Sequence, residues 1–138
     1  AQAADWHLAP RPGTDGALAM ALIHVLIAED LIDHDYVAAH TEGFTELAAR
    51  AVERSPEWAA DITGIPAEDI RRLAREYAGT RPSAIRIGVA LERHRGGGQT
   101  IRAVSCLPAL VGAWREVGGG MLALSVWEHP YRFDQMCR

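Results

Sequence analysis

The sequence of 138 residues predicts an α/β fold that is rich in helix and holds a small parallel sheet. Apolar residues recur at i, i+3 and i+4 over most of the chain, the spacing of helices with a buried face. Period-two alternation appears over Ser83–Leu91, with Ile85, Ile87 and Val89 on one face and Ala84, Arg86 and Ala90 on the other. Only Trp6–Ala9 and Met121–Trp127 can join it as strands. Three strands among so many helices leave open edges. The pattern therefore fits a Rossmann-like parallel sheet segment, flanked by helices, whose other strands lie elsewhere in a longer chain.

The elements follow in order. Pro12-Gly13 forms a turn that delivers Thr14 and Asp15 into a long apolar helix, Ala17–Leu31. Gly13 can take a backbone angle closed to other residues, and a Thr14 or Asp15 oxygen can accept from the free N–H groups of the first turn. Leu18, Ala21, Leu22, Val25 and Leu26 make the apolar stripe, and Met20, Ile23 and Ile27 widen it to most of the girth. Asp33 caps a short helix through His40, which Gly43 ends, and Phe44–Arg54 is amphipathic until Ser55-Pro56 breaks it. Pro66–Tyr77 has proline at its first position, Glu68 and Asp69 in the first turn, and Ile70, Leu73, Ala74 and Tyr77 on its buried face. Gly96–Gly98 turns the chain into a helix of Ile101, Val104, Cys106, Leu107 and Leu110, kinked near Pro108. Gly118–Gly120 precedes the last strand. The strands Ser83–Leu91 and Met121–Trp127 are expected to pair in parallel, with the Gln99–Trp114 helix as a right-handed crossover.

Composition narrows the function. Hydrophobic content of 49% with 23% charge belongs to a globular chain of one α/β domain, or a fragment of one, over residues 1–138. A formal charge of -4 disfavours nucleic acid and anionic membrane as partners. All basic residues are Arg, so there is no phosphate-loop lysine and no Schiff-base lysine. Cys106 and Cys137 are too few for a zinc or iron–sulfur ligand set; Cys106 reads as a small core residue, and a disulfide between the two stays open. His24 reads as a packed histidine with one hydrogen-bond partner, and Trp58, Tyr77 and Trp114 as core anchors. No apolar run is long enough to span a membrane and no signal peptide opens the chain, so the expected location is cytoplasmic.

Three stretches resemble one family. The run RPGTDGALAMALIHVLIAEDLIDHDYVAAHTEGF (Arg11–Phe44), ITGIPAEDIRRLAREYA (Ile62–Ala78) and IRIGVALERHRGGGQTIRAVSCLPALVGAW (Ile85–Trp114) are similar, in order and spacing, to a segment of the large molybdopterin oxidoreductases. These are the enzymes of dimethyl sulfoxide reductase and formate dehydrogenase type. The resemblance implies a piece of a larger molybdenum or tungsten enzyme, forming one wall of the site for its molybdopterin guanine dinucleotide. The family's cofactor turn falls on Gly13, Thr14 and Asp15, and its second contact region on Gly88, Val89 and Arg93. Physical chemistry fits both placements. Ligands of open parallel sheets gather at the carboxyl ends of strands. A carboxylate such as Asp15 can accept from a guanine or ribose donor, and Arg93 can pair with a pyrophosphate oxygen.

The resemblance also implies what is missing. The cysteine cluster that binds an iron–sulfur centre in relatives, and the segment bearing the metal ligand, have no counterpart here, so the chain alone is expected to be inactive. The remaining domains of a parent oxidoreductase are the expected partners. The apolar girth of Ala17–Leu31 is then expected to lack cover, with self-association as the consequence. Two alternatives remain: a stand-alone scaffold that keeps the fold without redox activity, and a free nucleotide-binding module.

Overall fold

In the computed structural model, which describes residues 4–123, the apolar run after the Gly13 turn becomes the central helix α1 (Asp15–Ala28). Ala19, Ala21, Leu22, Ile23, Val25 and Leu26 are all buried, and residues from several sides of the helix reach the core. The cover comes from the chain itself. Helix α3 (Phe44–Ala51), α4 (Pro56–Thr63), α5 (Ala67–Gly79) and α6 (Gly97–Leu110) pack around α1. This overturns the expectation that α1 lacks cover: its neighbours supply Ala51, Ala59, Ile70, Ala74, Val104 and Leu107 to one continuous core.

Local chemistry sets the helix boundaries. The Asp33 carboxylate accepts from the Tyr36 N–H at 2.8 Å and starts α2 (His34–His40). Gly43 does not end α2; with φ of 78° it stands at the start of α3. Ser55-Pro56, expected to break a helix, also opens one: Ser55 Oγ accepts from the Trp58 N–H and Pro56 takes the first position of α4. Helix α5 begins one residue after Pro66 and keeps Ile70 and Ala74 on its buried face. Ion pairs fasten it to its neighbours. Arg75 Nε and Nη2 each donate to the Glu29 carboxylate at 2.8 Å, and Arg71 bonds Glu57 on α4.

The sheet is smaller than the alternation implied. Strand β1 (Ala84–Ile87) pairs in parallel with β2 (Gly120–Ala123), Ala84 opposite Gly120 and Ile87 opposite Ala123, and α6 is the crossover between them. The parallel pairing is the expected one. After Ile87 the chain turns and forms a 3-10 turn at Leu91–Arg93, so Val89 and Ala90 leave the ladder. Residues 124–127 of the expected second strand, and Cys137, lie outside the described residues. Trp6–Ala9 forms no strand. Its tryptophan lies under the Arg72 guanidinium, 4.4 Å from the ring centroid, so the segment is held by α5. Trp114 is not a core anchor: it is 48% exposed. His24 meets its expectation, with Nδ1 and the Ala51 carbonyl 2.9 Å apart. No described helix is long and apolar enough to cross a membrane.

Two outcomes follow from this packing. A Cβ on Gly16 would stand 2.8 Å from Thr100 Oγ1 and 3.6 Å from its Cβ, so any side chain at residue 16 requires the Thr100 hydroxyl to move. Gly16→Ala should therefore destabilise the fold by about 1–3 kcal/mol, although alanine favours an isolated helix. In a Thr100→Ala background the same change should be neutral or stabilising, and thermal denaturation of the four variants measures the coupling. The second outcome concerns acid. The hydrogen bond from Arg71, helped by backbone N–H donation, holds the Glu57 carboxyl down to about 2, against 4.5 for a free one. A lowered carboxylate contributes stability that is complete above the unfolded value and is lost as pH falls through the folded one. The melting temperature of Glu57→Gln should therefore fall less between pH 4.5 and about 2 than that of the unsubstituted chain. Parallel melting curves over this range would refute the link.

Candidate functional site

The start of α1 and the start of α6 lie side by side. Gly13, with φ of 79°, reverses the chain just before α1, and a Cβ there would stand 3.2 Å from His94 Nδ1. Three residues on, Gly16 faces Thr100 in the first turn of α6. The turn at Gly13–Asp15 thus adjoins the loop that runs from the end of β1 through Arg93 and His94 into α6. This is the carboxyl end of a parallel strand, where open α/β folds place their ligands.

Neither helix start is capped by a side chain. Thr14 was expected to cap; instead its hydroxyl donates to the Arg11 carbonyl at 2.6 Å. Its backbone, at φ -104° and ψ 6°, lies outside the extended conformation that aims a capping oxygen at the first turn. Asp15 is the first residue of α1 and supplies no cap bond either. The N–H groups of Asp15, Gly16, Gly98 and Gln99 therefore have no hydrogen-bond partner among the described residues. Helix α6 goes further. Among the six described α-helices it alone begins with no acidic residue in its first turn and no side-chain cap. Arg93, His94 and Arg95 precede it, so the positive end of its dipole is reinforced rather than compensated.

The other expected residues are placed as follows. Gly88 and Val89 come directly after β1, both exposed, and nothing stands within 4 Å of where a Gly88 Cβ would be. Arg93 closes the exposed 3-10 turn. The structure brings Gly13 against His94 but records no bond that ties Gly88, Val89 or Arg93 to Asp15.

Sequence reasoning missed four participants. Nothing local singles out His94, Gly16 or Thr100, although a glycine inside a run of strong helix formers is a signal of close approach. Arg11 is the fourth. Its guanidinium donates to the Asp61 and Ile62 carbonyls at 2.7 and 3.1 Å, and its own N–H donates to Thr63 O at 2.8 Å. From the junction itself a groove of about 610 Å³ runs between α1, α3 and α6, lined by Gly16 and Thr100 and by Met20, Phe44, Leu47 and Cys106. Burial pushes the Cys106 thiol up, and its sulfur donates to the Arg102 carbonyl at 3.2 Å. Among the described residues no group of three His, Cys, Asp or Glu side chains is arranged to hold a metal ion.

No family model matches the chain. Individual proteins do. The probable oxidoreductase YoaE of Bacillus subtilis is 43% identical over 119 residues, which cover 86% of this chain and 18% of that protein. The thiosulfate reductase molybdopterin-containing subunit PhsA of Salmonella typhimurium is 45% identical over 84 residues, 61% of this chain and 11% of that subunit. In structure, acetylene hydratase from Pelobacter acetylenicus superposes with a TM-score of 0.78 at 37% identity, over 81% of this chain and 15% of that one. The chain thus spans less than a fifth of the length of each. With sequence and fold in agreement over most of its residues, the chain belongs to the molybdopterin oxidoreductase family and corresponds to one segment of its large subunits.

Proposed function

We propose that this segment forms the wall of a molybdopterin guanine dinucleotide site that holds the guanosine and pyrophosphate end of the cofactor. One observation carries the reading: two uncapped helix starts meet at Gly16 and Thr100, beside the end of a parallel strand. Unpartnered N–H groups and the aligned peptide dipoles suit a phosphate, and Gly98 leaves the backbone open to close approach. The donor set therefore fits the group.

Each residue then has a role. Pyrophosphate oxygens accept from the first-turn N–H groups of α6, with Arg93 as a charged donor at the rim. Gly88 and Val89, exposed beyond β1, give a backbone surface on which a ribose or base can lie. Asp15 has no cap to serve, so its carboxylate is free to accept from the guanine N–H pair or a ribose hydroxyl. When bound, the cofactor supplies two-electron redox or oxygen-atom transfer at molybdenum or tungsten; the segment supplies binding and orientation. The remaining domains of a parent oxidoreductase would complete the site. Without them, the unpaired sheet edges and the exposed Trp114, Val117 and Leu122 favour self-association.

A second reading, a scaffold that keeps the fold without the cofactor, draws support from the burial of six α1 residues within the chain. Nucleotide binding separates the two. Titration with GDP should shift the amide resonances of Gly13–Asp15, Gly88, Val89 and Gly97–Gln99, and ADP should do so more weakly. Asp15→Asn should lower GDP affinity roughly ten- to a hundredfold, the worth of a charge-assisted acceptor at about 1.5–3 kcal/mol. Its cost in stability should be only about 0.3–1 kcal/mol, from the lost charge at the helix start. Amide resonances indifferent to GDP would favour the scaffold, and equal affinity of the Asn variant would remove Asp15 from the site.

A further inference from the structure

We infer that Arg11 is the positioning residue of the Gly13–Asp15 turn, clamping it to the C-terminal end of α4 some fifty residues away in sequence. The inference rests on the nucleotide reading for its consequence in binding, and on geometry alone for the clamp.

The last carbonyls of a helix have no partner within it. At the end of α4 the chain answers with Arg11. Its guanidinium takes the Asp61 and Ile62 carbonyls and its backbone N–H takes Thr63 O, so three successive carbonyls of α4 converge on one residue. A cation at this end also complements the helix dipole. Gly64, with φ of 78°, ends α4 in the left-handed region, and a Cβ there would lie 3.5 Å from Arg11 Nε, in ordinary contact with the guanidinium.

The other side of Arg11 faces the turn. Its carbonyl accepts from both the Thr14 N–H, at 3.2 Å, and the Thr14 hydroxyl, at 2.6 Å. The Thr14 carbonyl in turn accepts from the Ala17 and Leu18 N–H groups, which begins α1. A continuous line of hydrogen bonds therefore runs from the end of α4, through Arg11 and Thr14, into the first turn of α1. Arg11 touches no candidate ligand position. It acts on them by fixing the direction in which the Asp15 and Gly16 N–H groups and the Asp15 carboxylate leave the turn. Both guanidinium bonds leave from the single nitrogen Nη1, so a lysine ammonium that reaches the same place can make part of them and keeps the charge.

Arg11→Met and Arg11→Lys in the 138-residue chain test this, read by amide hydrogen exchange and by GDP affinity. In Arg11→Met the Thr14 amide should exchange about tenfold faster or more, while those of Ile23 and Leu26 in mid-α1 keep their rates. GDP affinity should fall about tenfold, the equivalent of one ordinary hydrogen bond, and Arg11→Lys should recover part of both losses. An unchanged Thr14 amide would overturn the clamp. Uniform acceleration along α1 would overturn it too, since Arg11 would then act on the whole fold. A freed Thr14 with undiminished GDP affinity would show that the order of the turn does not matter for binding. If the unsubstituted chain fails to bind GDP, the nucleotide reading falls by itself, and the exchange rates still decide whether Arg11 holds the turn.

Discussion

The close approach of α1 and α6 at Gly16 and Thr100 is the constraint on which the rest of the structure depends. Without a side chain at residue 16 the Thr100 side chain can lie directly against the first turn of α1, and that contact holds the two helix starts side by side. On one side it brings the Gly13 turn against His94 and so against the loop leaving β1. On the other it leaves room for a groove bounded by α3. Helix α1 is nearly uniform in apolar character around its girth, so hydrophobicity alone does not choose its rotation. The contact at its first turn, together with His24 bonded to the Ala51 carbonyl, supplies specific points that do.

Much of the fold was legible because its signals are local. Asp33 as a cap, the acidic first turn of α5 and the apolar stripe of α1 each act within a few residues, and each lies where expected. The misreadings have local explanations as well. Ser55-Pro56 ends one helix and starts another, because the residues that stop a helix are those preferred at the beginning of the next. The alternation through Val89 continues past the point where the chain turns, since period two records which residues could share a face and not where the ladder stops. Trp6–Ala9 has strand-like composition, but its tryptophan is taken up by Arg72.

The candidate site was less legible, for a physical reason. The family resemblance assigned the cofactor turn to Gly13–Asp15 and a second contact region to Gly88, Val89 and Arg93, and strand polarity was consistent with both. What joins these regions is carried by pairs distant in sequence: Gly13 with His94, Gly16 with Thr100, and Arg11 with the end of α4. None has a periodic signature. Thr14 illustrates the difference, since its type announces a cap while the carbonyl of Arg11 draws its hydroxyl the other way. Capping preference is worth about 1 kcal/mol, small enough for one competing hydrogen bond within the turn to redirect it.

That redirection bears on why a helix start can serve as a site. A capping side chain consumes the donors that an anion needs, so a start built to bind must forgo the cap and recover stability elsewhere. Helices α2 and α4 carry Asp33 and Ser55 as caps. At α1 the compensation comes instead from Arg11, which satisfies the end of α4 and orders the turn in the same set of bonds. At α6 no such partner is present: its first turn has glycines, no acid and no cap, and three basic residues lead into it. An uncompensated positive end is unfavourable by itself and becomes favourable when a negative group arrives. In the proposed site the electrostatics of α6 and the hydrogen-bonded turn of α1 would therefore be complementary, one supplying attraction and the other direction.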